Sequence, residues 1–172
     1  MQKLLWIDLE MTGLDVHKEV IIEAAAIITD KDLNEVDSYQ TVIKQPQSFI
    51  DGMDEWNTTH HKASGLTDQI PNGKDPDVAE DELVAFVTKH FDKEPAILAG
   101  NSISQDRKFI DKYMLRLEKT LHYRMLDVSS WKIVFKHHFD KDYKKNNTHR
   151  ALDDIRESIN ELKYYLKFIS LD

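Results

Sequence analysis

There is no cysteine in this chain. That excludes disulfides, thiolate zinc sites and cysteine nucleophiles, and leaves carboxylates, histidines and hydroxyls to carry any chemistry. Long apolar runs are missing as well, and nothing approaches the roughly 20 residues a membrane span needs. The first apolar stretch, "LLWI", ends at an acid, so we expect no signal peptide and no membrane partner. No internal repeat or low-complexity segment is visible. With 172 residues, a single domain over 1–172 and a cytoplasmic protein are the expectations.

Positive charge is scarce overall but not everywhere. Lys and Arg number 23 against 31 Asp and Glu, a net charge of -8. Residues 1–100 carry 8 basic and 20 acidic residues, residues 101–150 carry 12 and 6, and the last 22 carry 3 and 5. An acidic total argues against long nucleic acid, whose binding is mainly phosphate neutralisation. The basic third is either a solvated face or a place to hold a short polyanion.

What is present reads as an α/β protein. "KLLWIDLE" (3–10), "VIIEAAAIIT" (20–29) and "EVDSYQTVIK" (35–44) predict three strands joined by short polar turns, the spacing of an antiparallel meander. "EPAILAGN" (94–101) and "YRMLDV" (123–128) predict two more. Helical periodicity runs over 76–91, 103–121 and 149–169. The sum is a mixed five-stranded sheet, three antiparallel strands and then two further strands, flanked by helices. Residues 45–76 hold three of the four prolines and three of the five glycines. We expect a surface excursion there, with one short helix near "MDEWNTTHH".

Two acids close the first strand. Residues i and i+2 of a strand share a face, so Asp8 and Glu10 project together. Burying two unpaired carboxylates side by side is very unfavourable. Either that strand end is exposed or a hard divalent cation such as Mg²⁺ or Mn²⁺ sits between them. Asp106 lies near the start of a predicted helix and on its apolar stripe. In "DDI" (153–155), a 100° wheel puts Asp153 opposite the apolar stripe, in solvent, and Asp154 on its flank, toward the sheet. His149 precedes Asp154 by five residues. Four converging carboxylates can hold two divalent ions for phosphoryl transfer, and a neutral histidine can take a proton from the attacking water.

"WIDLEMTGLD", "DEWNTTHHKASGL", "GNSISQDRKFI", "HYRMLDVSS" and "THRALDDIRESINEL", in that order, resemble the DEDDh group of 3'→5' exonucleases, and its oligoribonuclease branch in particular. That group has a ribonuclease H-like fold. The resemblance implies that Asp8, Glu10, Asp106 and Asp154 hold two Mg²⁺ or Mn²⁺ and that His149 is the general base. It implies very short RNAs, dinucleotides above all, as substrates and 5'-mononucleotides as products. It places Leu14 as a wedge between the two bases and Trp56 in the base pocket with His61 close by. Ser102, Arg124, Ser129 and Ser130 would cap the 5' phosphate. Tyr123 and Arg124 would come from the other subunit of a homodimer. The chain departs from the group's pattern at Ser104, Lys108, Met125 and Ser130, none of them a catalytic position.

Other readings remain open at this point. A related exonuclease acting on longer DNA or RNA ends would need a basic groove. A silent RNA-binding domain would not need the acids. A zinc hydrolase would have to use His60, His61, His137 and His138, and adjacent histidines in a helix or strand point apart.

Overall fold

The computed structural model describes residues 3–144 and 150–169. Strand β1 (Leu4–Met11) is central to it, and its alternation sorts the two faces of the sheet. Leu5, Ile7, Leu9 and Met11 enter one core, while Trp6 enters another and Asp8 and Glu10 share its parity. β2 (Ile21–Thr29) pairs antiparallel with β1 and is buried throughout, so it reads as an apolar run interrupted at Glu23 and closed by Thr29. β3 (Glu35–Val42) pairs antiparallel with β2 and forms one edge. β4 (Ala96–Gly100) and β5 (Leu121–Asp127) join parallel to β1 and to each other, giving the order β3-β2-β1-β4-β5. Five strands, the first three antiparallel, are what the sequence predicts; the structure adds that the last two run parallel to β1.

Helices cover both faces. α4 (Pro76–Phe91) begins at its proline, as a first helical turn allows, and buries Ala79, Leu83 and Val87. It packs over the first core with α5 (Ser104–Tyr113) and α6 (Leu115–Glu118), which supply Phe109, Ile110 and Leu117. α7 (Val128–Phe139) and α8 (Ala151–Leu166) cover the opposite face with Phe135, Ile155, Ile159, Leu162 and Tyr165. There the Trp6 indole donates to the Thr29 hydroxyl at 2.9 Å, fixing β1 against β2.

Three expectations need correction. The helix expected over 103–121 is broken. Met114 adopts φ -130° and ψ 63°, and the Glu80 carboxylate of α4 accepts from the freed amides of Arg116 and Leu117. A partner more than 30 residues away ends one helix and starts the next, which periodicity alone cannot reveal. The excursion is also more helical than expected. It holds α1 (Gln47–Asp51), α2 (Glu55–Ala63), α3 (Leu66–Gln69) and a 3-10 turn at Ile70–Asn72. Its glycines and prolines separate short helices: Pro46 precedes α1, Gly65 sits at φ 73° before α3, and Pro71 opens the 3-10 turn. Finally, α8 ends at Leu166, and Leu166 and Ile169 are exposed rather than continuing the stripe.

Candidate active site

Asp8 and Glu10 stand on the α8 side of β1, and Asp154 comes from the first turn of α8. Carboxylate oxygens of the three lie within 4.8 Å of one another. Asp153, next to Asp154, is exposed. Asp106 stands outside this trio. It is buried in the first turn of α5, and its Oδ1 accepts from the Leu9 amide, between Asp8 and Glu10, at 3.0 Å. The antiparallel register also shifts between Glu10 and Met11, an irregularity of a kind that clusters beside active sites.

So much negative charge in one place shows in the acids themselves. Burial, then the charges of Asp154, Glu23 and Asp106, push the Glu10 carboxyl up to about 8, with Arg150 opposing. Burial likewise pushes Asp106 up to about 7, against the pull of the Leu9 amide. An all-oxygen, hard donor set that repels itself when ionised suits a divalent cation such as Mg²⁺ or Mn²⁺, so the residues fit the metal the sequence suggests. Among the described residues the histidines join no metal-ligating cluster: His60 is half-buried, His61 is buried, and His137 and His138 are exposed.

Around the acids, Leu14 is 74% exposed, its carbonyl held by the Gln105 side chain at 2.6 Å. Trp56 is 58% exposed and stacks on His60, ring centroids 3.9 Å apart, so it is no core anchor. The resulting aromatic face stands on α2, whose Asp54 N-cap accepts from the Asn57 amide. His61, on the inner side of the same helix, reaches the Met11 carbonyl with Nε2 at 2.9 Å.

Ser102 and Ser129 meet across the β4 and β5 ends, their hydroxyls 3.2 Å apart. The Ser102 amide donates to both Ser129 Oγ and Asp127 Oδ1. Ser102 sits at φ 50°, a conformation that costs a non-glycine residue on the order of 1 kcal/mol and clusters at ligand-binding positions. Ser130 is exposed and lines a cavity of about 430 Å³ with Trp131, Val134, Phe135, Phe139, Phe168 and Ile169. Tyr123, 74% exposed, and Arg124 lie on edge strand β5, the guanidinium carbon 5.1 Å from the Tyr123 ring centre. His149 lies outside the described residues.

A family model described as Exonuclease (RNase_T) matches residues 5–162. Oligoribonuclease of Francisella tularensis subsp. tularensis (strain WY96-3418) is 48% identical over 165 residues, covering 94% of this chain and 93% of that one. The chain belongs to the oligoribonuclease family of exonucleases. It is thus a nuclease, a hydrolase of phosphodiester bonds. Oligoribonuclease of Pseudomonas aeruginosa is 47% identical over 169 residues, covering 95% and 94% of the two chains. The fold is also that of E. coli exonuclease I, solved in complex with a dA16 oligonucleotide: TM-score 0.73 at 11% identity, over 97% of this chain. This chain spans 41% of the length of that one.

Several residues of the site escape a reading of the sequence. Glu23 lies directly across from Glu10 in the β1–β2 register and is fully buried. Its signal was the single acid inside "VIIEAAAIIT". Asn101 binds Ser129, Ser158 and Glu161 together, which no local pattern announces. Arg150 pairs with Glu23 from 127 residues away. Among the described residues, no helix is long and apolar enough to cross a membrane.

Proposed function

We propose that this chain is a 3'→5' exoribonuclease that degrades very short RNAs, 5'-phosphorylated dinucleotides above all, to 5'-mononucleotides. The observation that carries this is the convergence of Asp8, Glu10 and Asp154 within 4.8 Å, with Asp106 tied to the same strand. Asp8, Glu10, Asp106 and Asp154 would hold two divalent cations, Mg²⁺ or Mn²⁺. Bound there, such ions supply activation of water and stabilisation of charge on the phosphate and leaving oxygen. His149 is assigned as general base by its family position, one residue before the Arg150 that pairs with Glu23.

The remaining groups account for substrate choice. Leu14 and Trp56 present exposed apolar and aromatic surface to two bases. Ser102, Ser129, Ser130 and Arg124 form the 5'-phosphate cap. Closing the 5' end selects for length, because a longer chain would have to pass through the cap. That agrees with a net charge of -8, which is poorly suited to long RNA. We also propose that residues 1–172 act as one cytoplasmic exonuclease domain in a homodimer, with Tyr123 and Arg124 completing the partner's site. Their exposure on an edge strand supports this, as do the exposed Ile133, Val134 and Phe139 of α7.

The test is direct. Purified protein is incubated with a 5'-phosphorylated RNA dinucleotide and, separately, with a 20-mer, each with Mn²⁺ and with EDTA. Rapid Mn²⁺-dependent conversion of the dinucleotide alone is expected. Preference for the 20-mer would mean a related exonuclease of longer ends, and no conversion of either would mean a binding domain.

A further inference from the structure

Glu23 and Arg150 are absent from the roles above, yet they join the two elements that carry the acids. Glu23 is on β2, opposite Glu10, and fully buried. Its Oε1 accepts from Arg150 Nη2 at 2.8 Å and from Gln40 Nε2 at 2.8 Å. Arg150 Nη1 donates to the Ser64 carbonyl after α2. The Arg150 backbone, extended at φ -129° and ψ 125°, is the residue immediately before α8. Its carbonyl accepts from the amides of Asp153 and Asp154, each at 3.0 Å. α8 has no side-chain cap of its own, and its first amide, Ala151 N–H, points at Glu23 Oε2 at 3.4 Å.

A continuous path therefore runs from the strand position facing Glu10, through an ion pair between the buried Glu23 and the partly buried Arg150, to the backbone amide of Asp154. Desolvating the Glu23 carboxylate fully is costly for stability alone, since apolar residues of similar volume commonly do as well or better at buried charged positions. What the ion pair provides is a fixed distance and angle between β2, α2 and the start of α8. We infer that Glu23 and Arg150 are positioning residues for the metal site, a clamp that sets the Asp154 carboxylate against Asp8 and Glu10. This inference rests on the proposed metal site. The Arg150 fork suits the task because it spans two acceptors at once, which an ammonium cannot do with the same geometry.

Opposite charge changes make the clamp testable. Mn²⁺ binding is measured by calorimetry at one pH, with thermal unfolding in EDTA as the check on folding, for the parent, Asp8→Ala, Glu23→Gln and Arg150→Gln. A positioning clamp requires both Glu23→Gln and Arg150→Gln to weaken Mn²⁺ binding, by about 10- to 100-fold, the size typical of residues that orient metal ligands. Simple electrostatics instead requires opposite signs, because Arg150→Gln removes a cation and would tighten Mn²⁺ binding. Lowered thermal stability with unchanged Mn²⁺ binding would make the pair structural only. Either result overturns the clamp. Should Arg150→Gln fail to fold, Arg150→Lys keeps the charge and loses the fork, and is expected to weaken Mn²⁺ binding as well; unchanged binding overturns the clamp. If the parent binds no Mn²⁺, or Asp8→Ala binds it equally, the metal site itself is wrong and the clamp falls with it.

Discussion

His61 Nδ1 lies 3.9 Å from Glu10 Oε2. The other ring nitrogen meets the Met11 carbonyl at 2.9 Å and must carry the proton to donate there. Nδ1 is then an acceptor turned toward Glu10, and burial holds the imidazole below its usual pKa. The residue backs the acid cluster and ties α2 to the end of β1. Replacing it with alanine leaves a buried carbonyl without its donor, a cost of about 1–3 kcal/mol. His61→Ala should lower the unfolding temperature measurably and weaken Mn²⁺ binding. An unchanged melt would show that water replaces the imidazole.

The metal-free protein should lose stability as pH rises. Glu10 is raised to about 8 from an ordinary 4.5, and Asp106 to about 7 from 3.8. Between those limits the folded chain binds more protons than the unfolded chain, so unfolding free energy falls with increasing pH. His61 acts oppositely on the acid side: its lowered pKa makes folding less favourable as pH drops below its ordinary 6.5. Two carboxyls outweigh one imidazole, so melting in EDTA should be lower at about pH 8 than at about pH 5.5. Mn²⁺ should reverse that order, and Glu10→Gln should flatten the EDTA profile. A metal-free melt that rises steadily toward pH 8 would contradict the charge distribution described for the site.

Trp56 is exposed and packs on His60, not on the core. Stacking a base on an aromatic ring is worth roughly 1–3 kcal/mol. Trp56→Ala should therefore raise KM for a dinucleotide about 5- to 150-fold while moving the unfolding temperature little. A large drop in melting temperature with unchanged KM would return Trp56 to a structural role.

Much of this was legible in the chain itself, and the reason differs from element to element. β1 and β2 announced themselves because burial on two faces leaves an apolar run that few other environments tolerate. α4 was bounded correctly because Pro76 marks its first turn. Asp154 was separable from Asp153 because a helix presents a single face to a sheet, and the structure exposes Asp153 while bringing Asp154 to Asp8 and Glu10. The break at Met114 was hidden because its cause, Glu80, belongs to another helix. Arg150 and Asn101 were hidden for the same reason, since their partners lie 57 or more residues away or on other elements. Local pattern reports what a segment is, and distant pairing decides where it stops and what it holds.

The proposed 5'-phosphate cap offers the last prediction. Asn101 Nδ2 donates to Ser158 Oγ at 2.8 Å and to Glu161 Oε2 at 3.0 Å. With its amide nitrogen turned to a carboxylate, its oxygen must face Ser129, whose hydroxyl donates to it at 3.1 Å. Ser129 Oγ in turn accepts from the Ser102 amide at 2.9 Å. Asn101 thereby fixes the orientation of both hydroxyls and joins them to α8, where the Ser158 hydroxyl donates to the Asp154 carbonyl. Asn101→Ala removes the anchor, and none of the hydrogen bonds it loses is to the carboxylates of Asp8, Glu10, Asp106 or Asp154. The expected result is a loss of discrimination: turnover of a dinucleotide lacking the 5' phosphate stays near the parent's, and the advantage of the phosphorylated one falls about tenfold. Ser129→Ala should reproduce much of that loss with less effect on stability, because it leaves the buried Glu161 the hydrogen bond from Asn101. Steady-state kinetics on the paired substrates checks both variants. Parent-like discrimination in Asn101→Ala would place the phosphate cap elsewhere on the molecule.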